Sequence, residues 1–244
     1  MAVIDTIETS QFNPHIEILE EDLEYGPARM LYVEDICQSA MWLDPALTGE
    51  PVLKYARRLR ETVSREMKEA PPKEILVMGG AGLEVPRFLL RDLPDAHITV
   101  VEVDPVMEQV AQRYFGMEDL RRSGRLDLTI ADASLYLEKL VNHGGRNRFD
   151  LIIEDAFCGI HAETALLTDK ACIETRQLLT DKGAYVINLV SAITGSDSWP
   201  LLMERDILLR FFEAVRAYPA TPDLEQEKVQ NIIMAANGYA AQAM

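Results

Sequence analysis

Cysteine is scarce in this chain, and basic residues are outnumbered. The three cysteines among 244 residues, Cys37, Cys158 and Cys172, form no CxxC pair and stand beside no paired histidines. That spacing signals neither a disulfide framework nor a zinc site, so no metal is expected and the thiols read as reduced, as in a cytoplasmic protein. Lys and Arg number 24 against 40 Asp and Glu, for a formal charge of −16. A surface that gathers nucleic-acid phosphates needs clustered cations, so nucleic acid is not expected as a partner, whereas a cationic small molecule would be attracted. There is no run of 18 apolar residues. The opening MAVIDTIETSQFNPHIEILEED carries acids where an export signal would have a basic start and an apolar stretch. Neither a membrane span nor a secretory leader is expected. Internal repeats, low-complexity tracts and a GxGxxG are also missing.

What is present is an ordinary globular composition, 48% hydrophobic and 26% charged, in a chain long enough for one large α/β domain with a small appendage. Three β-prone stretches, 15–19, 28–33 and 36–42, with a turn at Gly26-Pro27, predict a small antiparallel β unit within residues 1–50. Residues 51–244 form the main domain. Apolar positions Val52, Leu53, Tyr55, Ala56, Leu59, Val63 and Met67 predict a helix over 51–70, stopped by Pro71-Pro72. Strands at 74–78, 97–102, 126–130 and 151–154 then alternate with helices at 84–91, 105–115 and 134–141. A helix at 169–178, a strand at 184–190, a helix at 199–217, a loop at 219–228 and a strand at 231–236 complete the pattern. Such alternation calls for a Rossmann-like fold, a mostly parallel sheet with helices on both faces.

Chemistry-bearing residues gather at the predicted strand ends. The first junction reads EILVMGGAGLEVPRFLL, where Gly79 and Gly80 let the backbone approach a ligand and the helix start offers unpaired N–H groups. Glu102 lies about 20 residues further on, at the second strand tip, where a carboxylate can take both hydroxyls of a ribose. Asp132, in LTIADASLYL, can accept from an adenine amine while the Ala133 N–H donates to a ring nitrogen; it also suits the N-cap of the next helix. The fourth strand ends in FDLIIEDAFCG, placing Glu154 and Asp155 beside the same crevice as candidates for contact with a reacting amine. His161 could accept a proton, and Tyr32 and Trp199 could line a pocket, although lone loop histidines and aromatics at element ends are more often incidental.

In order and spacing these motifs resemble the polyamine aminopropyltransferases, typified by spermidine synthase and related to class I methyltransferases. The resemblance runs from about residue 16 to 237. ILVMGGAG resembles the family's ILxIGGGDG, VVEVDPVMEQVAQRYF its VExDxxVVxxAxxYF, IADASLYLEK its xGDAxxFL, and FDLIIEDAF its YDVIIxDxxDP. VEDICQSAMW resembles the N-terminal segment whose Gln, here Gln38, reaches the cofactor. The resemblance implies that Gly79 and Gly80 flank the methionyl part, Glu102 the ribose, and Asp132 with Ala133 the adenine, of decarboxylated S-adenosylmethionine or S-adenosylmethionine itself. It also implies a putrescine-like amine as second substrate and a homodimer.

The departures lie on the amine side. Gly82 replaces the loop Asp that holds the amine of the transferred group. Asp155 fills the first place of the DxxD element and Cys158 the second, and the Tyr-His-Glu element finds no match in LDPALTGEPVLKYARRL. Displacement at a sulfonium needs an aligned, unprotonated nitrogen, and an alkylamine titrates near 10, as lysine does. Glu84, Glu154, Asp155 and Glu163 are the acids that could serve. Three functions follow: aminopropyl transfer to an amine, methyl transfer from intact S-adenosylmethionine, or nucleoside binding without catalysis.

Overall fold

The computed structural model describes residues 2–158, 161–162 and 165–238, without the side chains of Cys158, His161 and Ala162. Four strands, β1 (Ala2–Ile7), β2 (Ile16–Leu23), β3 (Gly26–Val33) and β4 (Ile36–Trp42), form an antiparallel meander in the order β1-β2-β3-β4. The β3–β4 turn places both Glu34 and Asp35 at positive φ, 47° and 67°, the conformation whose twist suits a tight hairpin. β1 was not foreseen from the sequence. As an edge strand it leaves Val3 and Ile4 largely exposed, so it shows no inward-outward alternation to read.

The main sheet has seven strands in the order β12-β13-β11-β8-β5-β6-β7. In chain order the elements are α1 (Lys54–Glu66), β5 (Glu74–Met78), α2 (Glu84–Asp92), β6 (His97–Glu102), α3 (Pro105–Tyr114), α4 (Met117–Arg121), β7 (Leu126–Ile130), α5 (Ala133–Asn142) and β8 (Phe149–Glu154). There follow a two-residue hairpin, β9 (Phe157–Cys158) with β10 (His161–Ala162), then α6 (Asp169–Leu178), β11 (Leu179–Ser191), α7 (Trp199–Phe211), β12 (Ala214–Pro219) and β13 (Gln230–Asn237). β7, β6, β5, β8 and β11 run parallel, and β13 lies antiparallel between β11 and β12. One face of the sheet packs Ile75, Val77, Val100 and Leu151 against Ala56, Leu59, Phe88 and Leu89. The other packs Leu76, Ile152 and Tyr185 against Leu137, Leu178, Leu208 and Phe212.

The N-terminal meander sits on α3 through Ile16, Ile18, Leu31 and Val33, which pack against Met107, Val110, Tyr114 and Phe115. Arg29 also donates to the Tyr114 carbonyl at 2.8 Å. α3 is capped by Asp104, whose side chain accepts from Val106 N–H, and opens on Pro105, as N-cap and N1 preferences require.

Two boundaries differ from expectation. The helix expected over 199–217 ends at Phe211, and Ala214–Pro219 is instead the edge strand β12 on β13. Its Ala and Arg residues favour helix locally, but pairing with a neighbouring strand overrides that preference. β11 begins at Leu179 rather than 184, with its register against β8 broken between Leu179 and Ala184, where the sequence suggested only a turn.

From β5 the strand order reverses, with β6 on one side and β8 on the other. A crevice opens at that switch point, beyond the carboxyl ends of the parallel strands.

Candidate active site

The glycine loop follows directly from β5. Gly79 has φ +96°, and a Cβ there would lie 2.2 Å from the Asp155 carbonyl oxygen, so only glycine lets the loop pass the tip of β8. Ala81 and Leu83 also adopt positive φ, 32° and 61°, a strained arrangement of the sort that concentrates at binding loops. A Cβ on Gly80 would lie 3.1 Å from Val100 Cγ1 and 3.3 Å from Glu102 Oε2.

Glu102 organises this loop. Its Oε2 accepts from Gly80 N–H at 2.7 Å and Ala81 N–H at 3.1 Å, while Oε1 accepts from Asp104 N–H at 2.9 Å. The carboxylate is buried yet borders the cavity described below, with its orientation fixed by three backbone donors. Of the two parts considered for Asp132, the helix cap is seen directly. Asp132 caps α5 by accepting from Leu135 N–H at 2.9 Å and Ser134 Oγ at 2.8 Å, bonds that lower its pKa, and with Ala133 it also faces the cavity.

Asp155, just past β8, is held from two sides. Asn188 of β11 donates through Nδ2 to Oδ1 at 2.8 Å, and the Tyr55 hydroxyl of α1 lies 3.2 Å from Oδ2. That hydroxyl is equally 3.2 Å from the Gln38 carbonyl oxygen of β4; its one proton serves one acceptor at a time. Burial pushes the Asp155 carboxyl up to about 7 against these hydrogen bonds, helped by the nearby Glu84 charge. Tyr55 is held well above its ordinary range by burial and the Asp155 charge, so it stays a proton donor.

Glu84 and Glu154 behave differently from the wall acids envisaged for them. Glu84 accepts from Ala40 N–H at 2.8 Å through Oε2, and from Val52 and Leu53 N–H at 2.7 and 2.9 Å through Oε1. It touches the cavity, but its lone pairs clamp β4 and the start of α1 onto α2, and burial raises its carboxyl to about 7. Glu154 is 1% exposed and accepts from the Tyr185 hydroxyl in the core. Successive strand residues face opposite sides of a sheet; Asp155 borders the crevice and Glu154 does not. Tyr32 and Trp199 also lie away from it. Glu163, and the side chains of Cys158 and His161, fall outside the described residues.

These groups surround a cavity of about 450 Å³, whose lining includes Gln38, Gly79, Gly80, Glu102, Asp132 and Ala133 together with Tyr55, Asp155, Asn188, Val190, Val229, Gln230 and Asn231. Sequence reasoning did not name Asn188, Gln230 or Asn231, and it read Tyr55 only as a core position. An amide late in an apolar strand was the signal available for Asn188. Gly82 is closed off: a Cβ there would lie 2.8 Å from Ser39 Oγ, 2.9 Å from Ser39 Cβ and 3.2 Å from Phe115.

Residues 59–193 match the model of the spermine/spermidine synthase domain. The chain belongs to that family. Among curated family relatives, a polyamine aminopropyltransferase of Vibrio vulnificus is 33% identical over 137 residues, 56% of this chain and 44% of the relative. One from Chromobacterium violaceum is 28% identical over 228 residues, 87% of this chain and 79% of the relative. An eEF1A lysine and N-terminal methyltransferase homolog of Drosophila melanogaster is 29% identical over 169 residues, 68% of this chain. This chain spans under half the length of the Vibrio relative and about a quarter, 24%, of the Drosophila one.

Solved structures agree on the fold. A probable spermidine synthase from Corynebacterium glutamicum superposes with TM-score 0.78 at 21% identity, over 97% of this chain and 80% of that one. A spermidine synthase in complex with the transition-state analogue AdoDATO gives 0.68 at 17%, over 98% and 75%. Human methyltransferase-like protein 13 in complex with SAH gives 0.58 at 23%, over 78% and 82%. The family fold is thus shared with methyltransferases.

Proposed function

We propose that this protein transfers an aminopropyl group from decarboxylated S-adenosylmethionine to an amine, with Asp155 as the base. One observation carries the reading: the Asp155 carboxylate, held by Asn188 and Tyr55, shares a cavity with the glycine loop, Glu102 and Asp132. The donor half of that cavity fits an adenosyl group. Gly79 and Gly80 let the loop pack tightly on the strand tips, against Asp155, Val100 and Glu102, which brings its backbone to the cavity wall, and Glu102 is oriented by backbone donors to receive ribose hydroxyls. Asp132 with Ala133 would meet the adenine, and Gln38 would border the sulfonium side. Relatives named polyamine aminopropyltransferase, and a structural neighbour holding AdoDATO, support the same assignment.

When bound, the sulfonium supplies a carbon whose bond to sulfur breaks as the acceptor nitrogen forms its own bond to that carbon; the bonding pair leaves on a neutral thioether. The protein's part is to orient the nitrogen and take its proton. Burial raises the Asp155 carboxyl towards neutral pH, as suits a general base. Asn188 and Tyr55 fix its two oxygens. Glu154, bonded to Tyr185 in the core and absent from the cavity wall, has no part in this reading.

A specific observation favours methyl transfer as the second reading. The crowding of Gly82 by Ser39 and Phe115 leaves no place there for a side chain that would hold the lone amine of the decarboxylated donor. Methyltransferase relatives are consistent with that reading. Calorimetric titration with each donor separates the two: tighter binding of the decarboxylated form, followed by a product of putrescine heavier by one aminopropyl group, supports the first. Tighter binding of S-adenosylmethionine supports the second, and binding of neither refutes both.

A further inference from the structure

Gln230 opens β13 opposite Ser191 of β11 and lines the cavity on the side of Asp155 and Asn188. It is 9% exposed. Its Oε1 accepts from Thr221 N–H at 2.8 Å, and that bond fixes the amide, since exchanging oxygen and nitrogen would set two donors face to face. Nε2 is thereby directed away from Thr221 with two N–H groups to offer, and it has no acceptor among the described residues. Buried donors are nearly always paired, so an acceptor from the cavity's occupant completes the arrangement.

The surrounding groups define what that occupant presents. Asn231 donates to Asn188 at 3.1 Å, and Asn188 donates to Asp155 at 2.8 Å. The amides of this wall therefore hand their donors toward Asp155, leaving Gln230 as the surplus donor. Val190 and Val229 flank it. The remaining cavity carboxylates are committed elsewhere: Glu84 and Glu102 each to three backbone N–H groups, Asp132 to a helix cap. A second ammonium reaching Gln230 would meet N–H donors and valine methyls. A carboxylate would add negative charge to a cavity already holding four acids.

We infer that Gln230 selects a second substrate bearing an uncharged oxygen acceptor, a hydroxyl or an amide carbonyl, a short chain away from the nitrogen that lies at Asp155. β8 and β13 are two strand spacings apart, about 10 Å, and Gln230 lies three residues, about 10 Å, further along the strand than the level of Asp155; the backbone separation of about 14 Å is spanned by the Asp155 and Gln230 side chains with a chain of a few methylenes between them. The inference rests on the transferase reading and narrows its acceptor.

Three primary amines of equal chain length test it: 4-aminobutan-1-ol, butan-1-amine and putrescine, each with the adenosyl donor that binds. The wild-type protein is expected to use the amino alcohol with kcat/KM about tenfold above butan-1-amine, the factor one net hydrogen bond supplies, and above putrescine. Gln230→Met, which keeps length and removes the donors, should level the first two while leaving the calorimetric Kd for the donor unchanged. Gln230→Glu should shift preference to putrescine. Equal use of all three by the wild type, or turnover of none with the donor bound, overturns the inference. So does a Gln230→Met variant that weakens donor binding with discrimination intact, because Gln230 would then face the donor. A wild-type protein that binds no adenosyl donor instead removes the transferase reading itself.

Discussion

Replacing Gly82 by Asp would restore the residue that the family resemblance leads one to expect in the glycine loop, and it is expected to fail as a restoration. The new Cβ would lie 2.8 Å from Ser39 Oγ, 2.9 Å from Ser39 Cβ and 3.2 Å from Phe115 Cδ1. Phe115 is fully buried and Ser39 is 2% exposed, though Ser39 borders the cavity. Forcing atoms into such packing costs about 1–3 kcal/mol, before the cost of a carboxylate in the same place. For a chain of this size each kcal/mol lowers Tm by roughly 2–4 °C, so Gly82→Asp should unfold about 2–12 °C below wild type in a thermal scan. Gly82→Ala separates the steric part from the charge and should show most of the loss. Ser39→Gly removes both serine atoms that the new Cβ meets, at about 1 kcal/mol for a glycine inside a strand. The double variant should therefore be more stable than the sum of the single losses allows, by a coupling of about 0.5–3 kcal/mol. A Gly82→Asp protein that melts at the wild-type temperature and binds the decarboxylated donor more tightly would refute the reasoning, showing that position 82 opens into the cavity after all.

Other consequences follow from the same geometry. Asp155→Asn should lower turnover by about 10²–10⁴, the range for a lost general base, with donor affinity unchanged; undiminished initial rates would remove Asp155 from the chemistry. Because Asp155 acts as carboxylate and burial raises it to about 7 in the unliganded protein, kcat/KM in the wild type should climb as pH rises from 5.5 and bend near 7, and a flat profile would count against it. Gly79→Ala should be poorly tolerated, since its Cβ meets the Asp155 carbonyl at 2.2 Å and φ is +96°; the expected readout is loss of donor binding together with a lower Tm. Stability should also fall as pH rises from 5 to 8. Glu84, Asp155 and Glu204 are all raised to about 7, first of all by burial, so the folded state holds more protons than the unfolded chain across that window. Glu204 lies buried on α7, and its Oε2 has no partner among the described residues. Glu204→Gln should thus stabilise the protein at pH 8 in urea titrations and change little at pH 5.

The sequence by itself determined the alternation of strands and helices from residue 73 onward and the place of the strand-end residues proposed to hold the donor. Gly79-Gly80, Glu102 and Asp132 each sit at the end of an apolar strand in the linear text, and parallel strands connected by helices necessarily bring those ends to one edge of the sheet. β1 and β12 were illegible because edge strands are specified by a neighbour rather than by their own burial pattern. The surroundings of Asp155 were decided by tertiary structure. Tyr55, Asn188, Gln230 and Asn231 come from a helix and two strands far apart in sequence, and each looks like a core or loop residue until the sheet sets them around Asp155. Tertiary contact likewise decided the fate of two acids of the same charge: Glu84 became a clamp between α1, α2 and β4, and Glu154 turned into the core. Strand spacing and the alternation of side chains place a carboxylate at a sheet's edge, but only packing decides which donors meet it, and hence whether it binds, clamps or takes a proton.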